Sequence, residues 1–78
     1  MKTRDGIKLG NILNIARALG IDIREAGGNH PYVLNFPNLR PCPLASSTDA
    51  RRMVVPWIRH ATGYENNRIY DSLRSGQW

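Results

Sequence analysis

The sequence predicts an α+β sandwich in the order helix, three antiparallel strands, helix, with both main helices on one sheet face and a short helix appended at the C-terminus. Three observations carry that prediction. Apolar residues recur at helical spacing from Leu9 to Leu19 and again from Ala50 to Ala61, while three short segments between them are rich in aromatic and branched side chains. Gly27-Gly28-Asn29 and Pro37-Asn38 separate those segments with residues suited to chain reversal. A chain of 78 residues has room for one core. A domain of that size buries only about 60% of the surface its unfolded chain exposes, which favours a partner or a homodimer.

The first helix runs from Asp5 to Gly20, with Leu9, Ile12, Leu13, Ala16 and Leu19 on its buried stripe. Asp5 favours the N-terminus of that helix and Gly20 ends it. Lys8, Asn11 and Asn14 occupy the opposite, solvated face. Ile21-Asp22-Ile23-Arg24-Glu25 alternates apolar with charged residues and forms the first strand. His30 to Phe36 is the second and central strand, with Tyr32, Leu34 and Phe36 on one parity. Leu39 to Leu44 returns as the third. Its Pro41 and Pro43 lie two apart, so both missing N–H donors fall on one side and the strand belongs at the edge. Arg40, Cys42 and Leu44 are then the residues that pair with the second strand.

Ser47 and Thr48 are N-cap candidates for the next helical segment. Its stripe is Ala50, Met53, Val54, Trp57, Ile58 and Ala61, ending at Gly63. Pro56 would cost about 3 kcal/mol inside a helix but little in a first turn. A short helical turn followed by a helix starting near Val55 is therefore preferred over one kinked helix. Asn66 or Asn67 caps a last short helix that points Ile69, Tyr70 and Leu73 one way. The organisation is a domain over residues 1–64 and a helical extension over 65–78, which packs on the domain or makes dimer contacts.

A net charge of +5 and a pI near 10.2 fit a polyanion such as RNA. The Arg and Lys residues are spread along the chain without forming a run, so a solvated basic surface is the competing explanation. No apolar run approaches the ~20 residues of a membrane span, and a cytoplasmic protein with no membrane association is expected. One cysteine excludes an intramolecular disulfide, and with His30 and His60 it offers no paired metal-ligand spacing, so neither a metal nor another cofactor is expected. His60, near a helix C-terminus, is explained by the helix dipole. His30 is different. It follows a glycine turn that can present its imidazole to solvent, a suitable place for general acid or base chemistry.

Gly28-Asn29-His30-Pro31-Tyr32, the strand it opens, the proline-containing third strand, and the closing helix ending in Arg59-His60-Ala61-Thr62-Gly63 together resemble the HicA (YcfA-like) toxins. The resemblance covers roughly residues 3 to 64. It implies a double-stranded-RNA-binding-like fold and an mRNA interferase, the endoribonuclease of a type II toxin–antitoxin system, restrained by a HicB-like antitoxin that covers its histidine. By motif match that histidine is His30. The sequence departs from the family in having Asn29 where Ser is usual, Pro31 after the histidine, and residues beyond Tyr64.

RNA cleavage without metal needs a base for the 2′-OH, an acid for the leaving oxygen, and donors for charge on the phosphoryl oxygens. His30 is the candidate for the first or second role. The backbone N–H groups of Gly28 and Asn29 are candidate phosphate donors, Arg24 and Arg40 candidate charge stabilisers, and Tyr32 a candidate base-stacking residue. Two other classes stay open: a non-catalytic RNA-binding module or decayed toxin homologue, and a small protein-interaction domain presenting Trp57, Tyr70 and Trp78.

Overall fold

A computed structural model describes residues 1–28 and 30–78. The alternation and turn chemistry of the sequence produce helix α1 (Leu9–Ala18), strands β1 (Asp22–Glu25), β2 (Tyr32–Asn35) and β3 (Cys42–Leu44), a π-helical turn (Ala50–Val54), and helices α2 (Val55–Thr62) and α3 (Asn66–Ser75). The sheet is antiparallel in the order β1-β2-β3, which makes β2 central and β3 an edge. Cross-strand partners share a face. Ile23, Leu34 and Cys42 therefore lie together on one side, and Glu25, Tyr32 and Leu44 join them there. Asp22, Arg24, Val33, Asn35 and Pro43 form the other side.

The helices all bury residues in the core that the first sheet face supplies. Ile12 and Ile15 from α1, Leu34 and Leu44 from the sheet, Val54 and Ile58 around the start of α2, and Ile69 and Leu73 from α3 are each 0% exposed. Residues 65–78 are thus built into the one core through α3, which packs on α1 and α2. The contact with α1 is also polar. Asn11 Nδ2 donates to the carbonyls of Leu73 (3.0 Å) and Arg74 (3.3 Å), occupying acceptors that the last turn of α3 leaves free. Gly76 follows at φ 80°, and a Cβ there would lie 2.6 Å from Asn11 Oδ1. The position needs glycine for conformation and for space. Asn11, expected on a solvated face, instead fastens two helices.

Helix α1 begins at Leu9 rather than Asp5. Residues 2–8 are diverted into a turn, closed by an antiparallel bridge between Lys2 and Lys8 and by Thr3 N–H donating to the Ile7 carbonyl at 2.7 Å. Asp5 caps a different helix. Its carboxylate accepts from the Ala50 N–H (2.9 Å), the Arg51 N–H (3.0 Å) and the Thr3 hydroxyl (2.7 Å). The local cap of that segment is Asp49, which accepts from the Arg52 N–H, not Ser47 or Thr48. Thr48 is buried and accepts from the Ala45 N–H, holding the preceding loop closed. Helix α3 likewise starts after Glu65, with no side-chain cap from Asn66 or Asn67.

Pro56 sits in the first turn of α2, as its missing N–H requires. The turn before it is wider than an α-helical one: the Val55 N–H bonds the Ala50 carbonyl, five residues back. That extra residue shifts the phase of the stripe. Met53 rotates outward to 49% exposure, while Val54, Val55 and Ile58 stay buried. Strand β3 is shorter than the sequence suggests. Pro43 pairs opposite Val33, and Arg40 lies outside the strand, its carbonyl accepting from Trp57 Nε1–H at 2.7 Å. Among the described residues no helix is long and apolar enough to cross a membrane.

Burial raises the Asp5 pKa, but hydrogen bonds from Thr3 and the Ala50 and Arg51 amides outweigh it, so the net shift is below the ordinary 3.8. A depressed folded-state value means the unfolded chain takes up the proton first as pH falls. The carboxylate's contribution is therefore complete above the ordinary value and is lost as pH falls through the lower, folded one. Asp5→Asn, which keeps one acceptor oxygen but removes the charge and the second acceptor, is expected to lower stability by up to about 1 kcal/mol at neutral pH. In urea titrations the gap to the parent should close in acid; a gap that persists at low pH would rule out the ionised cap as its origin.

Candidate functional site

The β1–β2 hairpin is the part of the fold that presents His30. Pairing runs to Glu25 opposite Tyr32, and the Ala26 N–H still reaches the Pro31 carbonyl at 2.9 Å, which closes the hairpin's end. Gly28 has φ 72°, the left-handed conformation expected of a glycine reversal. Asn29 lies outside the described residues. His30 is exposed, and Pro31 confines it to extended backbone, a fixed departure from the loop.

His30 directly precedes two residues that line an apolar cleft. Pro31 and Tyr32 form one wall, Leu9, Gly10 and Leu13 of α1 the other, and Met1 closes an end, enclosing about 310 Å³. Tyr32 is half-buried, packed on the core with part of its surface in the cleft. Of the two roles its sequence position allowed, the core packing is thus seen. The bridge between the exposed Lys2 and Lys8 adjoins Met1 and Leu9 along the chain. Glu25, opposite Tyr32 at the base of the loop, supplies an exposed carboxylate there.

The remaining sequence-predicted residues are elsewhere. Arg24 pairs opposite Val33, on the sheet face away from Tyr32, and its guanidinium lies 3.8 Å from Asp22. Arg40 precedes β3 and lies beyond the Leu34–Cys42 pair, at the opposite end of the sheet from His30. At about 3.3 Å per residue that separation is roughly 20 Å along the strands. His60 is in the last turn of α2. The helical segment starts beside the loop that follows β3, so His60 is roughly 15 Å along it at 1.5 Å per residue. The hairpin therefore brings together Gly28, His30 and Tyr32, and leaves Arg24, Arg40 and His60 out of reach of its cleft.

Sequence reasoning missed Glu25 beside the hairpin and the bridge that joins Lys2 to Lys8 next to Met1 and Leu9. Glu25 was visible as the last residue before the glycine turn, a position that must flank the hairpin's end. Lys2 and Lys8 carried no such signal, because the bridge joining them depends on where Asp5 is anchored. Gly10 carried a weak one: a glycine inside a helical pattern often marks open space or close approach.

Cys42 is not a candidate nucleophile. It is 4% exposed, and burial pushes its thiol up to about 11. Among the described residues no group of three or more His, Cys, Asp or Glu side chains could hold a metal ion. The aromatic residues suggested for a partner surface each have contacts within the chain, and Trp78 stays exposed. Trp57 donates to Arg40, Tyr70 packs on the core, and Trp78 lies edge-on to Tyr64 with the Arg68 guanidinium 4.3 Å from its ring centre.

No family model, curated protein or solved structure matches the chain.

A Cβ at Gly10 meets nothing within 4 Å. Gly10→Ala should therefore raise stability by about 0.5–1 kcal/mol through helix propensity alone. An unchanged or lower melting temperature would mean that the cleft beside α1 is occupied in the folded protein.

Proposed function

We propose that this chain is an endoribonuclease, an mRNA interferase toxin of the HicA-like kind, in which His30 is the general acid or base. One observation carries the reading: an exposed histidine leaves a glycine hairpin directly before Pro31 and Tyr32, which line a cleft against α1. The resemblance carried by Gly28 to Tyr32, and the order of one helix, three strands and a second helical segment, support it.

The chemistry follows from those groups. A base removes the 2′-OH proton, and the alkoxide attacks the adjacent phosphorus, forming a 2′,3′-cyclic phosphate. The 5′-oxygen leaves with a proton from an acid. His30 supplies one of these proton transfers, and Glu25 is the other titratable group at the hairpin's end. Lys2 and Lys8 stabilise charge on the non-bridging oxygens. The flat wall made by Pro31 and Tyr32 suits a base unstacked from single-stranded RNA, which is how proteins usually read RNA sequence. In this reading a HicB-like antitoxin inhibits by covering the His30 hairpin.

A non-catalytic RNA-binding function is the second reading. It is favoured by the distance of His60, which leaves no second imidazole near His30.

The test is cleavage of single-stranded RNA in EDTA, with a 2′-deoxy strand as control. The parent should cut only the ribose strand, and His30→Ala should lose at least about a hundredfold in rate. Arg40→Gln, at the far end of the sheet, should cut at the parental rate. Salt-sensitive binding without cleavage would select the second reading; equal cutting by parent and His30→Ala would remove His30 from the mechanism.

A further inference from the structure

Helix α3 lies beyond the part of the chain that resembles the toxins, and it builds a second cleft on the other side of the first turn of α1. This cleft encloses about 280 Å³ and is lined by Asp5, Lys8, Asn11, Tyr70 and Arg74, among others. Tyr70 also lines a smaller neighbouring hollow of about 160 Å³, together with Arg51 and Asn67. Two guanidiniums are stacked near the one ring: the Arg51 carbon ζ is 5.2 Å and that of Arg74 6.0 Å from the Tyr70 centroid. Such stacking holds a guanidinium in place while leaving its N–H edge available for a planar or phosphate acceptor.

The charge balance of this corner is positive. Lys8, Arg51 and Arg74 contribute three charges and Asp5 one of opposite sign, a net of two. Asp5 is already committed, since its two oxygens accept from Thr3, Ala50 and Arg51. Asp71 flanks Arg74 on the outer side of α3. Among the described residues the ion pairs are Arg24 with Asp22 and Arg52 with Asp49, so none of the three cations is neutralised by a carboxylate contact.

We propose that the cleft between the Asp5–Asn11 turn and α3, together with the neighbouring hollow that shares Tyr70, is a phosphate-binding subsite for a single strand of RNA, with Lys8 and Arg74 in the cleft and Arg51 in the hollow as its ligands. The inference rests on the ribonuclease or RNA-binding reading above and extends it to residues 65–78. A row of cations suits a polymer that carries a phosphate on every unit. Lys8 is the link. It lines this cleft and directly precedes Leu9, which lines the cleft beside Pro31 and Tyr32, so a strand seated at His30 is led around the first turn of α1 towards α3.

The experiment measures binding of a labelled 2′-O-methyl RNA of about a dozen nucleotides, which cannot be cut, across a salt series. Probes are the parent, Arg51→Gln, Arg74→Gln and the charge-conserving Arg74→Lys. Both replaced arginines are exposed, and circular dichroism checks that each variant folds. Each Gln variant should weaken binding about fivefold and lower the log–log salt slope by about one, with Arg74→Lys restoring most of the slope. Salt-dependent binding by the parent with affinity and slope unchanged in both Gln variants would overturn the subsite and leave the RNA reading standing. Loss of salt-dependent binding in the parent itself would overturn both. Full displacement of the RNA by inorganic phosphate at millimolar concentration would show a site for an isolated phosphate and overturn the strand.

Discussion

The carboxylate of Asp5 fixes the geometry on which both clefts depend. It stands in a turn near the start of the chain yet accepts hydrogen bonds from two amides at residues 50 and 51. The N–H groups at the start of a helical segment have no partners within it, and an anion there is favoured by the dipole as well. Meeting that need from a distant residue ties the Lys2–Lys8 bridge to the beginning of the second helical region. Arg4 reinforces the tie by donating its N–H to the Thr48 carbonyl at 2.8 Å. Without it the turn over residues 2–8 would lack a fixed place against the loop after β3, and Met1 would lose its position against Pro31 and Tyr32.

A second long-range polar contact does the same for α3. Asn11 occupies the free carbonyls at the end of that helix while Ile69 and Leu73 fill the core beneath it. Buried apolar area supplies the driving force, at about 25 cal/mol per Å², but it is non-directional and would tolerate some sliding of α3 along α1. The paired hydrogen bonds fix the register, and the close approach of Gly76 allows the Asn11 side chain to sit there. The position of Tyr70 between Arg51 and Arg74 follows from that register.

The same distinction explains how much was legible in the sequence. Apolar periodicity gave α1, the central place of β2 and the helical stripe through Ile58, because a repeated spacing states which face must be buried. Proline chemistry gave the edge position of β3 and the start of α2. What could not be read were partners chosen across long sequence separations. Asp5 has the same local signature whether it caps its own helix or one 45 residues away. Asn11 looks like any polar residue on a solvated helix face. Met53 fitted the stripe at a period of 3.6 and left it only because the turn before Pro56 is π-helical, which no hydrophobic pattern announces. At the site, His30 and Tyr32 were legible because they belong to one hairpin. Arg24 and Arg40 were misplaced because a parity and a strand end separate them from it.

The placement of the cations gives the last step. Spread along the sequence, the eleven Lys and Arg residues gave no indication of a single charged surface. Folding gathers Lys2 and Lys8 by a β-bridge, and gathers Lys8, Arg51 and Arg74 around one tyrosine, while Arg40 goes to the other end of the sheet. A basic composition kept only for solubility would place few demands on position, since any exposed site serves equally well. Here the cations of the α1 side are set against an aromatic ring or a cleft wall, and three of them have no carboxylate partner. That costs the fold some electrostatic self-repulsion, which an incoming row of phosphates would relieve. Along the proposed path from His30 to α3 that relief would continue from site to site.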